Sequence, residues 1–241
     1  MKLLAIETSA GAASCAVVQD GRLLSEGFVN TKQTHSQTLL PMVQQALAQA
    51  ELTVAQLDGL AVAVGPGSFT GVRIGVAAIK GLAFPASTPC VGVSTLEAMA
   101  ENFRGLPEKL TVCAVMDARC RQVYTASFLI DDGAVTRLTP DEALTMDTVK
   151  ERLMGTSTPI LLVGDGAAMC YAEWQNTLPS LYLAPEHLRF PRAAGVAAVA
   201  APRFARGETT DAASLLPLYL RLPQAQRELM ARQAQNKPNK K

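Results

Sequence analysis

The residues of this chain most suggestive of chemistry form one dense run, Gly65-Pro66-Gly67-Ser68-Phe69-Thr70-Gly71-Val72-Arg73-Ile74-Gly75. It follows the apolar stretch Leu60-Ala61-Val62-Ala63-Val64, which reads as a buried strand, and leads into residues 72–84, whose composition suits a helix. A strand, a tight loop of Gly, Ser and Thr, and a helix N-terminus together make an anion site, because backbone N–H groups are unpaired there and the helix dipole adds positive potential. Ser68 and Thr70 are therefore candidates for contact with a nucleotide or another anion. Neither common phosphate fingerprint fits. A Walker loop needs a lysine after its last glycine, where Val72 stands, and the dinucleotide fingerprint needs a glycine in place of Thr70. A close-packed turn, in which Gly71, Gly75 and Ala78 let the helix approach a neighbour, is the competing explanation.

Two acids come next. Glu7 and Asp117 each close an apolar strand, Leu3 to Ile6 and Leu110 to Met116. Facing each other across a cleft, such acids could hold hydrated magnesium beside a nucleotide; alone, each simply caps a turn. His35 and His187 are the only histidines, and neither has a metal-ligand partner three or four residues away. No nucleophile–base pair can be assembled from them, so no catalytic residue is assigned. The five cysteines, Cys15, Cys90, Cys113, Cys120 and Cys170, never form a C-x-x-C pair and are expected to be small buried hydrophobes.

The elements that must position these groups repeat. Leu3 to Ile6, Ser14 to Val18 and Leu23 to Val29 read as an antiparallel meander with a turn at Asp20-Gly21. Thr34 to Ala50 has helical spacing; Thr34 with Gln37 fits a capping box, while Pro41 implies a start near Thr38 or a bend. Cys90 to Val93 is a short strand, and Ser94 with Glu97 caps a helix from Thr95 to about Arg104. After the break at Gly105-Leu106-Pro107 the opening pattern returns, as strand, acid, second strand from Gln122 to Ile130, and Asp132-Gly133. Residues 141–153 and 167–174 then look helical, 159–163 a buried strand and 193–205 an alanine-rich helix. The pattern predicts a duplicated α/β chain with subdomains 1–106 and 107–223, the second smaller, its last segment able to pack back on the first. Residues 224–241, with Arg227, Arg232, Lys237, Lys240 and Lys241 against Glu228, are expected to be a disordered basic tail.

Bulk composition narrows the function classes. With 22 Lys+Arg against 21 Asp+Glu, no global basic field marks a protein that holds nucleic acid unaided. Glu7 interrupts the first apolar run too early for a signal peptide, and no uninterrupted apolar run suits a bilayer span, so a soluble cytoplasmic protein without membrane contact is expected.

With the duplication and the glycine run in hand, the sequence resembles the TsaB (YeaZ) family of bacterial tRNA-modification proteins. The resemblance is carried by Leu3 to Ser14, His35 to Met42, Gly65 to Gly75, Gly92 to Leu96 and Asp117 to Tyr124. It implies the duplicated actin-like, sugar-kinase-like and Hsp70-like (ASKHA) ATPase superfold. It further implies a part in making N6-threonylcarbamoyladenosine in tRNAs that read codons starting with A. The partners implied are TsaD, which performs the transfer, and TsaE; a homodimer is the alternative when the chain is alone, and tRNA is met only through the complex. In the TsaD branch a His-x-x-x-His pair binds the catalytic metal, but here those positions are Thr95 and Met99, which offer a hydroxyl and a thioether. A non-catalytic subunit with no metal or cofactor is the expectation, and an active nucleotide-dependent phosphotransferase or peptidase of the same superfold is the alternative. The helix faces carrying Leu39, Met42, Val43, Leu47, Val72, Arg73, Val76 and Ile79 are the expected partner interface.

Overall fold

The alternation of large and small apolar residues along the strands sets the layers of the molecule. In the computed structural model, which describes residues 1–31 and 33–221, Lys2–Glu7 (β1), Ala13–Gln19 (β2) and Arg22–Val29 (β3) form the antiparallel meander. His35–Gln49 (α1) leads to Gly59–Gly65 (β4), then Phe69–Ala83 (α2), Cys90–Ser94 (β5) and Thr95–Glu101 (α3). β4 runs parallel to both β1 and β5, giving the sheet order β3-β2-β1-β4-β5.

The second half repeats that arrangement. Its elements are Leu110–Asp117 (β6), Gln122–Asp131 (β7), Ala134–Arg137 (β8), Glu142–Thr145 (β9), Met146–Met154 (α4) and Ile160–Val163 (β10). Ala167–Trp174 (α5), Leu181–Leu183 (β11), Glu186–Arg189 (α6) and Ala193–Ala205 (α7) complete it. The sheet order β11-β10-β6-β7-β8 has the same antiparallel and parallel neighbours as the first sheet, with β9 added beside β7. The duplication legible as strand, acid and turn is thus a duplication of topology, and the second copy is reduced: α4 and α5 have 9 and 8 residues where α1 and α2 have 15 each. Residues 141–153 are not one helix, because β9 comes first and the Thr145 hydroxyl caps α4 by accepting from the Thr148 N–H.

Period-two patterning sends Leu4, Ile6, Leu60 and Val62 to one side of the first sheet, under α1 and α2. Ala5, Ala16, Ala61 and Ala63 face the other side, where alanine-rich α7 lies against them. Small residues on both surfaces bring that helix close: a Cβ on Gly195 would strike the Ala98 carbonyl oxygen of α3. α3 in turn serves two cores, with Ala98 toward α7 and Leu96, Met99 and Ala100 toward Val112, Ala114, Phe128 and Ile130 of the second sheet. The layers are therefore α1/α2, first sheet, α3/α7, second sheet, α4/α5. Although α7 and residues 209–218 follow the second sheet in sequence, they pack on the first.

The helix starts and faces test several expectations. The Thr34–Gln37 capping box is formed, so α1 starts at His35 rather than near Thr38 and runs through Pro41, which sits on its exposed side. α2 starts at Phe69, three residues earlier than expected, because the Ser68 hydroxyl caps it by accepting from the Gly71 N–H. Gly71 and Gly75 do let the helix approach a neighbour, and that neighbour is the end of β1: a Cβ at either would strike Thr8, whose hydroxyl donates to the Gly71 carbonyl at 2.8 Å. The expected interface needs correction. Leu39, Met42, Val43, Leu47, Val72, Val76 and Ile79 all lie in the protein's own core against the first sheet, and Arg73 alone of that set is exposed. The basic tail from Gln224 lies outside the described residues.

Candidate functional site

The carboxyl ends of the parallel strands β1, β4, β6 and β10 point the same way, and the turns that follow them converge on one cleft, the usual place for ligands in such sheets. Its volume is about 710 Å³. Ser9 to Gly11 come from the turn after β1, Pro66 to Thr70 from the β4–α2 loop and Asp117 to Arg119 from the β6–β7 turn. Asp165 and the returning residues 218–221 complete the wall.

Ser68 and Thr70 are both in the lining, and Ser68's own polar groups are engaged. The Ser68 N–H donates to the Ser9 carbonyl at 2.7 Å, and its hydroxyl serves the Gly71 N–H. His35 stands at the rim, its Nε2 donating to the Ala10 carbonyl at 2.9 Å. His187 is on α6 and is not part of the lining.

The acids are arranged differently from expectation. Asp117 lines the cleft, but Glu7 does not face it there: Glu7 is completely buried beneath Ser9, whose N–H and hydroxyl both donate to Oε1 at 2.5 Å. Among the described residues its Oε2 has no hydrogen-bond partner. Burial pushes the Glu7 carboxyl up to about 7, the Ser9 hydrogen bonds opposing and the Asp165 charge adding to the rise. The acid that does meet Asp117 is Asp165, which accepts the Asp117 N–H at 3.0 Å. Burial raises the Asp165 carboxyl, with the neighbouring Asp117 charge contributing. The sequence signal for Asp165 was Gly164-Asp165-Gly166 after an apolar strand, the position equivalent to the glycine loop of the first half. Among the described residues no group of three or more His, Cys, Asp or Glu side chains is arranged to hold a metal ion.

At the base of the cleft the Thr95 hydroxyl donates to Ser9 Oγ at 3.0 Å, and both Thr95 and Met99 are fully buried. Met99 packs in the core shared with the second sheet, so neither side chain is open to the cleft. Cys120 is the exception to the expectation for cysteines: it is exposed in the β6–β7 turn, while the other four are buried.

Comparison with known proteins places this arrangement. The family model described as TsaD, tRNA N6-adenosine threonylcarbamoyltransferase, matches residues 27–229. The Escherichia coli K12 protein named tRNA threonylcarbamoyladenosine biosynthesis protein TsaB is 34% identical over 224 residues, 92% of this chain and 95% of its own length. The chain belongs to the TsaB family. The solved structure of YeaZ from Pseudomonas aeruginosa superposes with a TM-score of 0.75 at 30% identity, covering 91% of this chain and 99% of that one. A more distant likeness, to the activator of the 2-hydroxyisocaproyl-CoA dehydratase from Clostridium difficile with bound ADPNP, has a TM-score of 0.50 at 11% identity over 86% of this chain and 97% of that one. It shares the fold alone. This TsaB-family chain accordingly has a duplicated α/β architecture whose fold extends to that activator, with its cleft lined by residues of both halves.

Proposed function

We propose that this chain acts in forming N6-threonylcarbamoyladenosine in tRNAs that read codons beginning with A, as a non-catalytic subunit that binds and organises TsaD, with TsaE joining the pair. The names of its relatives support the pathway. The observation that carries the non-catalytic role is the state of Thr95 and Met99, buried and turned to packing where the transferase branch has its metal-binding histidines. This chain brings no cofactor of its own, works in the cytoplasm and meets tRNA within the complex. Its first subdomain is 1–106, and the second begins at 107.

The docking surface is the outward side of α1 and α2, which keeps Arg73 and lies opposite the buried residues first assigned to it. Leu40 on α1, Arg73, Ala77 and Gly81 on α2, and Phe84 just beyond are exposed, Phe84 at 81%. Small residues down the middle of α2 allow a partner helix to approach closely, and a partner of the same fold would present an equivalent helix pair. In the absence of TsaD the same surface serves a homodimer. Gly81 gives a clean test, since a Cβ there meets open space. Gly81→Glu should fold normally and no longer co-elute with TsaD in gel filtration; retained co-elution would move the interface elsewhere.

One observation favours a second reading as a nucleotide-dependent phosphotransferase, namely the cleft of about 710 Å³ edged by Asp117 and Asp165. Calorimetry of the isolated chain with ATP and magnesium separates the two. Binding accompanied by turnover supports the enzyme, and the absence of turnover supports the subunit.

A further inference from the structure

Residues 209–221 run back over the first half after α7, and their attachment changes character along the way. Thr210 exchanges two backbone hydrogen bonds with Cys90, both 2.8 Å, and Lys80 Nζ donates to the Ala213 carbonyl at 3.0 Å. Leu215 then enters the core beside α2 and is only 3% exposed. Beyond this root the chain lies on the rim of the cleft. The Leu218 N–H donates to the Val64 carbonyl at 2.7 Å, and the Leu218 carbonyl sits 2.6 Å from where a Cβ on Gly65 would be. Gly65, at φ +115°, leaves that space for it.

The last contacts join the two halves. The Tyr219 ring lies 4.9 Å, centroid to centroid, from the ring of Phe69, the first residue of α2. Two residues on, the Arg221 guanidinium reaches the second half and donates to the Ala118 carbonyl in the β6–β7 turn.

We infer that residues 215–221 are a latch across the mouth of the cleft. Leu215 is its root, and the Tyr219–Phe69 and Arg221–Ala118 contacts are its closure. The root is deep while the tip is light, with Leu218 and Tyr219 exposed at 42% and 43%. Segments with few buried contacts open at lower free energy than the cores, so the tip releases while both halves stay folded and joined through α3. Release parts the α2 end from the β6–β7 turn, and the latch thereby sets access to the cleft.

The natural Cys120 makes this testable, because it is exposed on the turn that Arg221 grasps, while the other four cysteines are buried. In the full chain, one spin label goes on Cys120 and a second on Arg22→Cys, exposed at the start of β3, away from both the latch and the proposed docking surface. Pulsed electron–electron resonance then compares the distance distribution with an intact latch and with Tyr219→Ala/Arg221→Ala. The distribution is expected to broaden toward longer distances in the double variant, and exchange of the Leu218 amide to rise about tenfold while α7 amides are unchanged. An unchanged distribution in a folded double variant would overturn the latch. Should that variant fail to fold, Arg221→Ala alone is measured by Leu218 amide exchange, where no increase would overturn it as well.

Discussion

Glu7 shows how far a single residue can depart from its sequence-level role. As the last residue of β1 it looked like half of a pair of acids facing a ligand, yet the Ser9 turn closes over it and removes it from water. Its folded carboxyl is raised from 4.5 to about 7, so the native state holds a proton that the unfolded chain releases. The sign follows: this group's stabilisation is complete below about pH 4.5 and is lost as pH rises to about 7, at up to about 1.4 kcal/mol per pH unit. Glu7→Gln keeps an acceptor for Ser9 and cannot ionise. Urea denaturation should show the wild type falling relative to Glu7→Gln across that window, and parallel stability profiles would show that Glu7 is not held neutral. The acid character of this position was legible in the sequence, but its burial was not, because burial depends on how the turn between β1 and β2 folds back. Asp165 went unnoticed for the converse reason: Gly-Asp-Gly reads as a turn until β10 is seen to lie beside β6.

At the scale of elements, α2 carries the main lesson. Its small and apolar residues were correctly assigned to a helix, yet the direction of its faces was reversed. Two glycines that suit helix–helix contact also suit a helix lying on a sheet, and only Thr8, distant in sequence, decides between them. The result separates two substitutions only two residues apart, on opposite sides of the helix. Ile79 is fully buried in the core under the first sheet, so Ile79→Asp places a carboxylate in an apolar site and should cost more than about 3 kcal/mol, enough to unfold much of the population. Gly81 is exposed, and Gly81→Glu should stay within about 1 kcal/mol of wild type. Thermal melts of the two variants check both expectations. Comparable large losses in both would mean that the exposed side of α2 is also structural.

For the molecule as a whole, the duplication was the most legible feature, because strand, acid, strand and turn recur in order and the same hydrogen-bonding neighbours follow from them. Less legible was the return of the chain to the first half after β11. α7 announces itself only as alanine-rich, and its place follows from alanines on β1, β2 and β4 that no local pattern connects to it. That return puts small residues between the layers and covers Ala98 of α3, while Met99 on the same helix is buried against the second sheet. The outer side of α2 and the cleft are the two surfaces to which function is assigned. The subunit reading and the enzyme reading assign different weight to those surfaces. Reconstitution of threonylcarbamoyladenosine formation on tRNA from purified TsaD, TsaE and this chain separates them most directly, with Gly81→Glu set beside Asp117→Asn/Asp165→Asn. Product should require this chain, disappear with Gly81→Glu and persist with the cleft double variant. Loss of product with the cleft variant while TsaD still binds, or full product without this chain, would contradict a docking subunit.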